Sequence, residues 1–132
     1  MFAYSGLKML GRRDHVKRVY LSGPMTGLPH GNRPAFLEAA KALRARGLEV
    51  INPAEYGSPE DDWYAAMRRD IRMLMDADAV VTLPGWERSR GARLEVYVAC
   101  QLNMPVYTLT ACLRAAEEDL AKAPAIQLSL EL

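Results

Sequence analysis

The sequence predicts an α/β fold: a doubly wound parallel sheet of four to five strands with helices on both faces, of the Rossmann or flavodoxin-like kind. Short runs of β-branched and apolar residues alternate with helical patterns of ten or more residues along the chain. Connections of that length are what parallel strands require. With 132 residues, half of them hydrophobic, the chain is long enough for one domain with a single core.

The first half of the chain contains two predicted strands and one predicted helix. RVYLSG, from Arg18, is the first strand, and the loop GPMTGLPHGN after it is dense in turn-forming residues. NRPAFLEAAKALRARG has Asn32 as a candidate cap, Pro34 in its first turn and Gly47 at its end, as expected of an amphipathic helix. LEVIN is the second strand, and the loop PAEYGSPEDD follows it with acidic residues that suit a helix N-terminus.

The second half repeats this alternation. DWYAAMRRDIRMLMDA is a predicted helix, DAVVTLP a strand, GARLEVYVACQLN a helix, MPVYTL a strand and ACLRAAEEDLAKA a helix. We expect an N-terminal arm over residues 1–17, a domain over residues 18–123 and a tail over residues 124–132. The tail is predicted to be an extra edge strand or a subunit contact.

Charge and composition limit the class of partner. The net charge of +1 gives no global field that favours DNA, RNA or an anionic membrane. The N-terminal segment lacks a stretch apolar enough for a signal peptide or a membrane span, and Cys100 and Cys112 have neither CxxC nor metal-site spacing. His15 and His30 are isolated as well. We therefore expect a cytoplasmic protein with reduced thiols and no metal or organic cofactor.

The predicted fold places the ligand site at one edge of the sheet. Right-handed crossovers bring the carboxyl ends of all the strands to one edge, and ligands bind there where the strand order reverses. Three loops meet at this edge: GPMTGLPHGN, NPAEYGSPE and PGWERSRG. The first of them lacks the GxGxxG and Walker patterns, which weighs against NAD binding and ATP hydrolysis.

Asp70 is the first acidic residue in an unexpected place. It lies on or beside the predicted apolar stripe of its helix, which consists of Trp63, Met67, Ile71 and Leu74. The neighbouring basic residues are expected to face water: Arg68, Arg69 and Arg72. Burying an unpaired carboxylate costs at least several kcal/mol, so Asp70 has either a structural partner, such as an arginine or a loop that it caps, or a chemical role.

Glu95 is the second such residue, because it lies near the start of an otherwise largely apolar helix, after the segment SRG. Backbone N–H groups and the helix dipole are expected to help keep it ionised. Two carboxylates aimed at one cleft are what glycosidic chemistry uses, one as nucleophile and one for the proton of the leaving group. An ordinary first-turn glutamate that faces solvent is the alternative.

Two aromatic residues near this edge each have two interpretations. Tyr20, in the first strand, is either a core aromatic, which alternation alone favours, or a hydroxyl donor to a catalytic carboxylate. Trp86, in a loop flanked by glycine, either stacks on a base or covers a hydrophobic cluster.

Three segments, VYLSGPMTGLP, MRRDI and LPGWERSRGARLE, together resemble the nucleoside 2-deoxyribosyltransferase-like superfamily. The resemblance covers roughly residues 18–110 and is closest to a branch of small bacterial and phage proteins of unknown function. It implies a doubly wound parallel sheet and cleavage of the N-glycosidic bond of 2-deoxynucleosides or their 5'-monophosphates. The reaction it implies proceeds through a covalent glycosyl-enzyme and ends in hydrolysis or in transfer to a second base.

The resemblance also implies roles for individual residues. Glu95 is the nucleophile in the motif S-x-G-x-x-x-E, with Ser89 and Gly91 as its leading residues; Asp70 assists the leaving group, and Tyr20 hydrogen-bonds the nucleophile. As a serine, Ser89 implies binding of a 5'-phosphate. The residues expected to line the rest of the substrate site are Gly23, Pro24, Met25 and Trp86.

Arg90 and Arg93 are expected either to help hold the phosphate or to be ordinary surface residues. The implied partner is a small nucleoside or nucleotide, and the implied assembly is a homodimer or homotetramer. Two alternatives of other classes remain open. One is a nucleotide-binding sensor or sequestering protein without chemistry, and the other is a structural subunit that uses the sheet edge or the tail as a contact.

Overall fold

The structure, a computed structural model, describes residues 16–58, 60–116 and 125–126. Its centre is a four-stranded sheet of β1 (Arg18–Ser22), β2 (Glu49–Ile51), β3 (Ala79–Thr82) and β4 (Val106–Thr108). All three strand pairs are parallel, and the order is β2-β1-β3-β4. The predicted α/β fold with a parallel sheet is therefore confirmed, and the strand order is that of the flavodoxin-like class.

Four α-helices connect or follow these strands within the described residues: α1 (Arg33–Ala45), α2 (Trp63–Leu74), α3 (Arg90–Gln101) and α4 (Leu109–Ala116). A short 3-10 turn lies between each of the first three strands and the helix that follows it: Pro29–Asn32, Pro53–Glu55 and Trp86–Arg88. Asn32 occupies the predicted N-cap position of α1, but it has a positive φ of 61° and its side chain makes no capping hydrogen bond.

The two faces of the sheet carry two separate hydrophobic clusters. Residues alternate in direction along a strand, so Val19 and Leu21 of β1 face the cluster under α1 and α4, whereas Tyr20 faces the cluster under α2 and α3. Ser22 follows Tyr20 by two positions and therefore points to the same face as Tyr20. This alternation brings the two hydroxyl groups of β1 toward α3.

The carboxyl ends of β1 and β3 approach each other closely. A Cβ added to Gly23, the residue after β1, would lie 2.8 Å from the Cβ of Leu83, which follows β3. Only glycine fits at that separation without a shift of the backbone. The strand order reverses between β1 and β3, and a doubly wound fold is expected to bind ligands at the carboxyl edge of the sheet at that point.

Parts of the predicted arm and tail are in contact with the sheet. Val16 is buried in the cluster under α1 and α4, and the Lys17 N–H donates to Asp78 Oδ2 at 3.0 Å. The Ile126 N–H donates to the Val106 carbonyl at the β4 edge. The predictions for residues 1–15, 117–124 and 127–132 lie outside the described residues. Among the residues that are described, no helix is long and apolar enough to cross a bilayer.

Candidate active site

The Glu95 carboxylate is buried at the carboxyl edge of the sheet and is hydrogen-bonded at both oxygens. It is the sixth residue of α3, and only 4% of its surface is exposed. The Tyr20 hydroxyl donates to Oε2 and the Ser22 hydroxyl donates to Oε1, each at 2.6 Å. The alternative of a solvent-facing first-turn glutamate was wrong, and Tyr20 is both a core aromatic and a donor to this carboxylate.

The start of α3 determines where Glu95 lies. Ser89 caps the helix, since its Oγ accepts a hydrogen bond from the Ala92 N–H at 3.1 Å. Ala92, Val96 and Ala99 bury one flank of the helix against the sheet. Glu95 lies on the edge of this buried flank, so the helix carries its carboxylate to the β1 hydroxyls.

Burial raises the pKa of Glu95 to about 7. The hydrogen bonds from Ser22 and Tyr20 oppose this rise, and the nearby Asp70 carboxylate adds to it. The expectation that backbone N–H groups keep Glu95 ionised was wrong, because the donors are two hydroxyls and burial outweighs them. Burial and the Glu95 charge also raise the pKa of Tyr20 well above 10, so its phenol keeps its proton.

Asp70 comes from α2 and is also buried, with 7% of its surface exposed. Burial raises its pKa, and the Arg69 guanidinium, whose Nε lies 3.2 Å from Asp70 Oδ1, opposes the rise. The structural ion pair that was left open for Asp70 is therefore present. The Asp70 carboxylate also contributes to the rise in the pKa of Glu95, so the two carboxylates are close enough to interact electrostatically.

Arg69 does not face water as expected; its side chain is only 32% exposed and bridges two acids. Besides Asp70 it contacts Asp61, in the loop before α2, at 3.0 Å. Asp61 in turn accepts a hydrogen bond from the Ser58 N–H at 2.9 Å. Gly57 has a positive φ of 75°, and a Cβ at this position would overlap the Arg69 and Asp61 side chains. The loop after β2 is thus attached to Asp70 through Arg69.

The predicted residues of the first loop lie at the same edge but make structural contacts. Gly23 packs against Leu83, Pro24 approaches Gly85, and Met25 packs against the cluster under α1 and α4, on the face opposite Glu95. Their assignment to a sugar and base pocket stays a prediction.

The remaining predicted residues surround the N-terminus of α3. A Cβ added to Gly91 would lie 3.1 Å from Met67 Sδ, so this glycine lets α2 and α3 pack closely. The Arg90 guanidinium lies 3.7 Å from the centroid of the Trp63 ring. Trp86 packs against the cluster under α2 and α3, which is the second of its two interpretations.

Trp86 also lines a cavity of about 690 Å³, which we call the outer recess. The outer recess lies over the exposed side of α3 and is lined by Trp63, Trp86, Glu87, Arg90, Arg93, Leu94 and Tyr97. Neither carboxylate of the candidate site is among its lining residues. The structure therefore separates the predicted site residues into a carboxylate group with Tyr20, Asp70 and Glu95, and a recess group with Trp86 and Arg90.

Sequence reasoning missed two residues of the carboxylate group, Ser22 and Arg69. A signal for Ser22 existed, because strand alternation puts it on the face of Tyr20 at the end of β1. Helical spacing alone gave no signal for Arg69, since its partner Asp61 lies in the preceding loop. Within the described ranges, no group of three His, Cys, Asp or Glu side chains is arranged to hold a metal ion.

Comparisons with known proteins agree with this geometry at the level of the fold. The family model described as a domain of unknown function (DUF4406) matches residues 17–108. No curated protein matches the chain. The solution structure of BlsM is 23% identical, with a TM-score of 0.57 over 72% of this chain and 65% of BlsM, so the chain spans less than two thirds of that protein.

A second solved structure with this fold is a 2-deoxyribosyltransferase from the psychrotolerant bacterium Bacillus psychrosaccharolyticus. It is 20% identical, with a TM-score of 0.55 over 69% of this chain and 70% of that enzyme. At these identities the two likenesses show a shared α/β fold.

Proposed function

We propose that this chain, which belongs to the DUF4406 family of domains of unknown function, cleaves or transfers the N-glycosidic bond of nucleosides or nucleoside 5'-monophosphates through a covalent glycosyl-Glu95 intermediate. The observation that carries the proposal is the buried Glu95 carboxylate held by two hydroxyls at the carboxyl edge of a parallel sheet. The shared fold with a 2-deoxyribosyltransferase supports it.

In the first step, one oxygen of the ionised Glu95 carboxylate attacks C1' of the sugar. The C1'–N bond breaks, and its electron pair leaves with the base. Asp70 helps the base depart by donating a proton to it, for which Asp70 has to be in its protonated form. Burial, which raises its pKa, favours that form, and the Arg69 guanidinium opposes it. In the second step, the water oxygen attacks C1' and gives a proton to Asp70, the C1'–O bond to Glu95 breaks, and the free sugar or sugar phosphate leaves. If a second base attacks instead, the result is transfer.

The hydroxyls of Tyr20 and Ser22 orient the nucleophile. Each fixes one carboxylate oxygen, and together they lower the pKa that burial would otherwise raise further. Because the pKa of Glu95 is about 7, the reactive anion forms as the pH rises through neutrality. We therefore expect kcat/KM to increase with pH from about 6 to 8 on this account.

Ser89 is proposed to bind the 5'-phosphate. Its oxygen accepts the capping bond from the Ala92 N–H, which leaves its own O–H proton free to donate to a phosphate oxygen. The position at a helix N-terminus favours an anion as well. Arg90 and Arg93 are not assigned to this phosphate, because both line the outer recess.

The proposal is tested by incubating the parent protein and Glu95→Gln with a panel of nucleosides and their 5'-monophosphates and measuring free base by chromatography. Glutamine keeps the size of the side chain and removes the charge, so it is the matched control. Base released by the parent only is the expected result. Equal release by both proteins would remove Glu95 from the mechanism.

A nucleotide-binding protein without chemistry is the second candidate. The observation that favours it is that the Glu95 carboxylate is almost fully buried and that both of its oxygens already accept hydrogen bonds from the protein. Saturable binding of a monophosphate in calorimetry that Ser89→Ala weakens, together with no base release from any member of the panel, would establish this alternative.

A further inference from the structure

The outer recess has the chemistry of a binding site that the proposed reaction does not use. Its size is within the range of small-molecule sites, and its walls combine two indoles with a phenol ring and Leu94. Leu94 is 39% exposed, in a position where a surface helix usually carries a polar residue. An apolar and aromatic surface of this kind is available to a ligand.

The recess lies on the opposite side of α3 from the candidate active site. Its four α3 residues, Arg90, Arg93, Leu94 and Tyr97, form one exposed stripe of the helix. By the period of 3.6 residues per turn, Glu95 projects roughly 150° away from the centre of this stripe. Glu95 is buried and is not among the lining residues, so the recess does not open onto the nucleophile.

The charges of the recess select an anion. Arg90 and Arg93 lie one turn apart on the same stripe, and within the described part of the chain neither is paired with a carboxylate. Arg90 is already stacked over Trp63, which holds its guanidinium at the edge of the recess. Glu87 is the one acid on the lining and supplies an acceptor for a ring N–H or a sugar hydroxyl.

We propose that the outer recess binds a nucleoside monophosphate as a second ligand, with its base against the Trp86 indole and its phosphate on Arg93 and on Arg90, whose guanidinium is held by the Trp63 ring. Any planar nucleobase can stack on an indole ring, whatever its identity. A guanidinium group can donate two parallel hydrogen bonds to two phosphate oxygens. The site goes beyond the proposed function, since it requires neither Glu95 nor turnover.

The experiment uses the two tryptophans of the chain, both of which line the recess. Tryptophan emission of the Glu95→Gln protein, in which turnover is removed, is followed during titration with AMP, adenosine and inorganic phosphate. We expect saturable quenching by AMP and at least tenfold weaker binding of adenosine or phosphate alone, because each lacks half of the contacts. Free base is measured separately, so a failure of the proposed function does not affect this result.

Arg93→Gln is the test variant, and Arg72→Gln, which alters an exposed arginine of α2 outside the recess, is its matched control. We expect Arg93→Gln to weaken AMP binding by tenfold or more and Arg72→Gln to leave it unchanged. Equal affinities for the two variants would overturn the proposal. A second result would also overturn it. If tryptophan emission without nucleotide depends on protein concentration, and this dependence disappears in a monomeric Leu94→Lys variant, a second copy of the chain covers the recess.

Discussion

At the scale of single residues, the candidate site depends on two hydroxyl groups that each donate a hydrogen bond to a different oxygen of one carboxylate. Tyr20 and Ser22 donate to different oxygens of Glu95, and both hydroxyls come from one face of β1. The phenol keeps its proton because burial raises its pKa, so it remains a donor over the whole pH range of the protein. Ser22 has the smaller side chain, but it supplies the second hydrogen bond to the Glu95 carboxylate, which is almost fully buried.

Replacing Ser22 by alanine tests this division. The variant leaves Oε1 without its donor, and a lost hydrogen bond to a buried charge costs about 1–3 kcal/mol. We expect the pKa of Glu95 to rise, and activity at neutral pH to fall tenfold or more. The pKa is measured from the pH dependence of the Glu95 carboxyl carbon resonance in NMR. Ser22→Thr, which keeps a hydroxyl, is the control, and an unchanged pKa in Ser22→Ala would contradict the role.

Arg69 presents a second test at this scale. Its bridge between Asp61 and Asp70 opposes the rise in the pKa of Asp70 that burial causes. Arg69→Gln is expected to raise the pKa of Asp70 and to lower stability by about 1 kcal/mol, since the pair is partly screened by solvent. The pH profile of kcat shows the first effect, and urea denaturation shows the second. The exposed Arg68→Gln variant is the control, and identical profiles for the two would exclude Arg69 as a positioning residue.

These residues also show where single-residue reasoning from sequence succeeds. Glu95 and Asp70 were identified because a carboxylate stands out in an apolar helical stripe. Ser22 was accessible to the same reasoning through strand alternation. Arg69 was not. Its partner Asp70 is the next residue in the helix, a spacing at which side chains do not ordinarily face each other, and its partner Asp61 is in the preceding loop.

At the scale of elements, the N-terminus of α3 has one observed role and one proposed role. Ser89 caps the helix and is proposed to bind a phosphate, so the two roles have to be separated by experiment. Ser89→Ala removes both and is expected to lower stability by about 1 kcal/mol. Ser89→Asp retains a good cap but places a negative charge beside the proposed phosphate.

We therefore expect Ser89→Asp to keep the stability of the parent and to shift activity from monophosphates toward nucleosides by tenfold or more. Thermal denaturation and kcat/KM for a matched nucleoside and monophosphate measure the two quantities. If the preference for the two substrates is the same in Ser89→Asp and the parent, Ser89 has only its capping role.

Element boundaries were predicted less well than element types. The fourth helix begins at Leu109, directly after β4, rather than at Ala111, and the Thr108 hydroxyl accepts the Ala111 N–H. β2 is only three residues long, Glu49–Ile51, because Asn52 leaves the sheet to cap the turn that follows it. Both differences arise from side chain to backbone hydrogen bonds, which hydrophobic periodicity does not reveal.

At the scale of the whole molecule, the buried Glu95 links stability to pH. Its pKa rises from 4.5 to about 7 on folding, so the folded state binds more protons than the unfolded state between these values. The contribution of Glu95 to the free energy of unfolding is therefore fully present below about pH 4.5, and it is lost as the pH rises through about 7. The linked loss is on the order of 3 kcal/mol.

The matched measurement compares urea unfolding of the parent and Glu95→Gln at pH 5 and pH 8. We expect the parent to lose more stability than the variant between these pH values, since glutamine does not titrate. The same dependence on pH in both proteins would show that Glu95 does not titrate in this range.

The overall fold could be predicted because alternating strand and helix patterns restrict a chain of this size to few topologies. The parallel sheet follows from residue spacing. Spacing also singles out Asp70 and Glu95, but it left a solvent-facing Glu95 open. The side of α3 on which each basic residue lies did not follow from the motif, because the motif spans both sides of the helix. Arg90 and Ser89 are adjacent in sequence, yet one caps the helix and the other lines the outer recess.

The proposed covalent glycosyl-Glu95 intermediate can be trapped with a slow substrate. A 2'-fluorinated nucleoside monophosphate slows both steps by disfavouring the oxocarbenium-like transition state, and a good leaving base lets the intermediate accumulate. Intact-protein mass spectrometry followed by peptide mapping is expected to show one added sugar phosphate on Glu95 of the parent and none on Glu95→Gln. Base release by the parent with no adduct, or an adduct on another residue, would contradict the account.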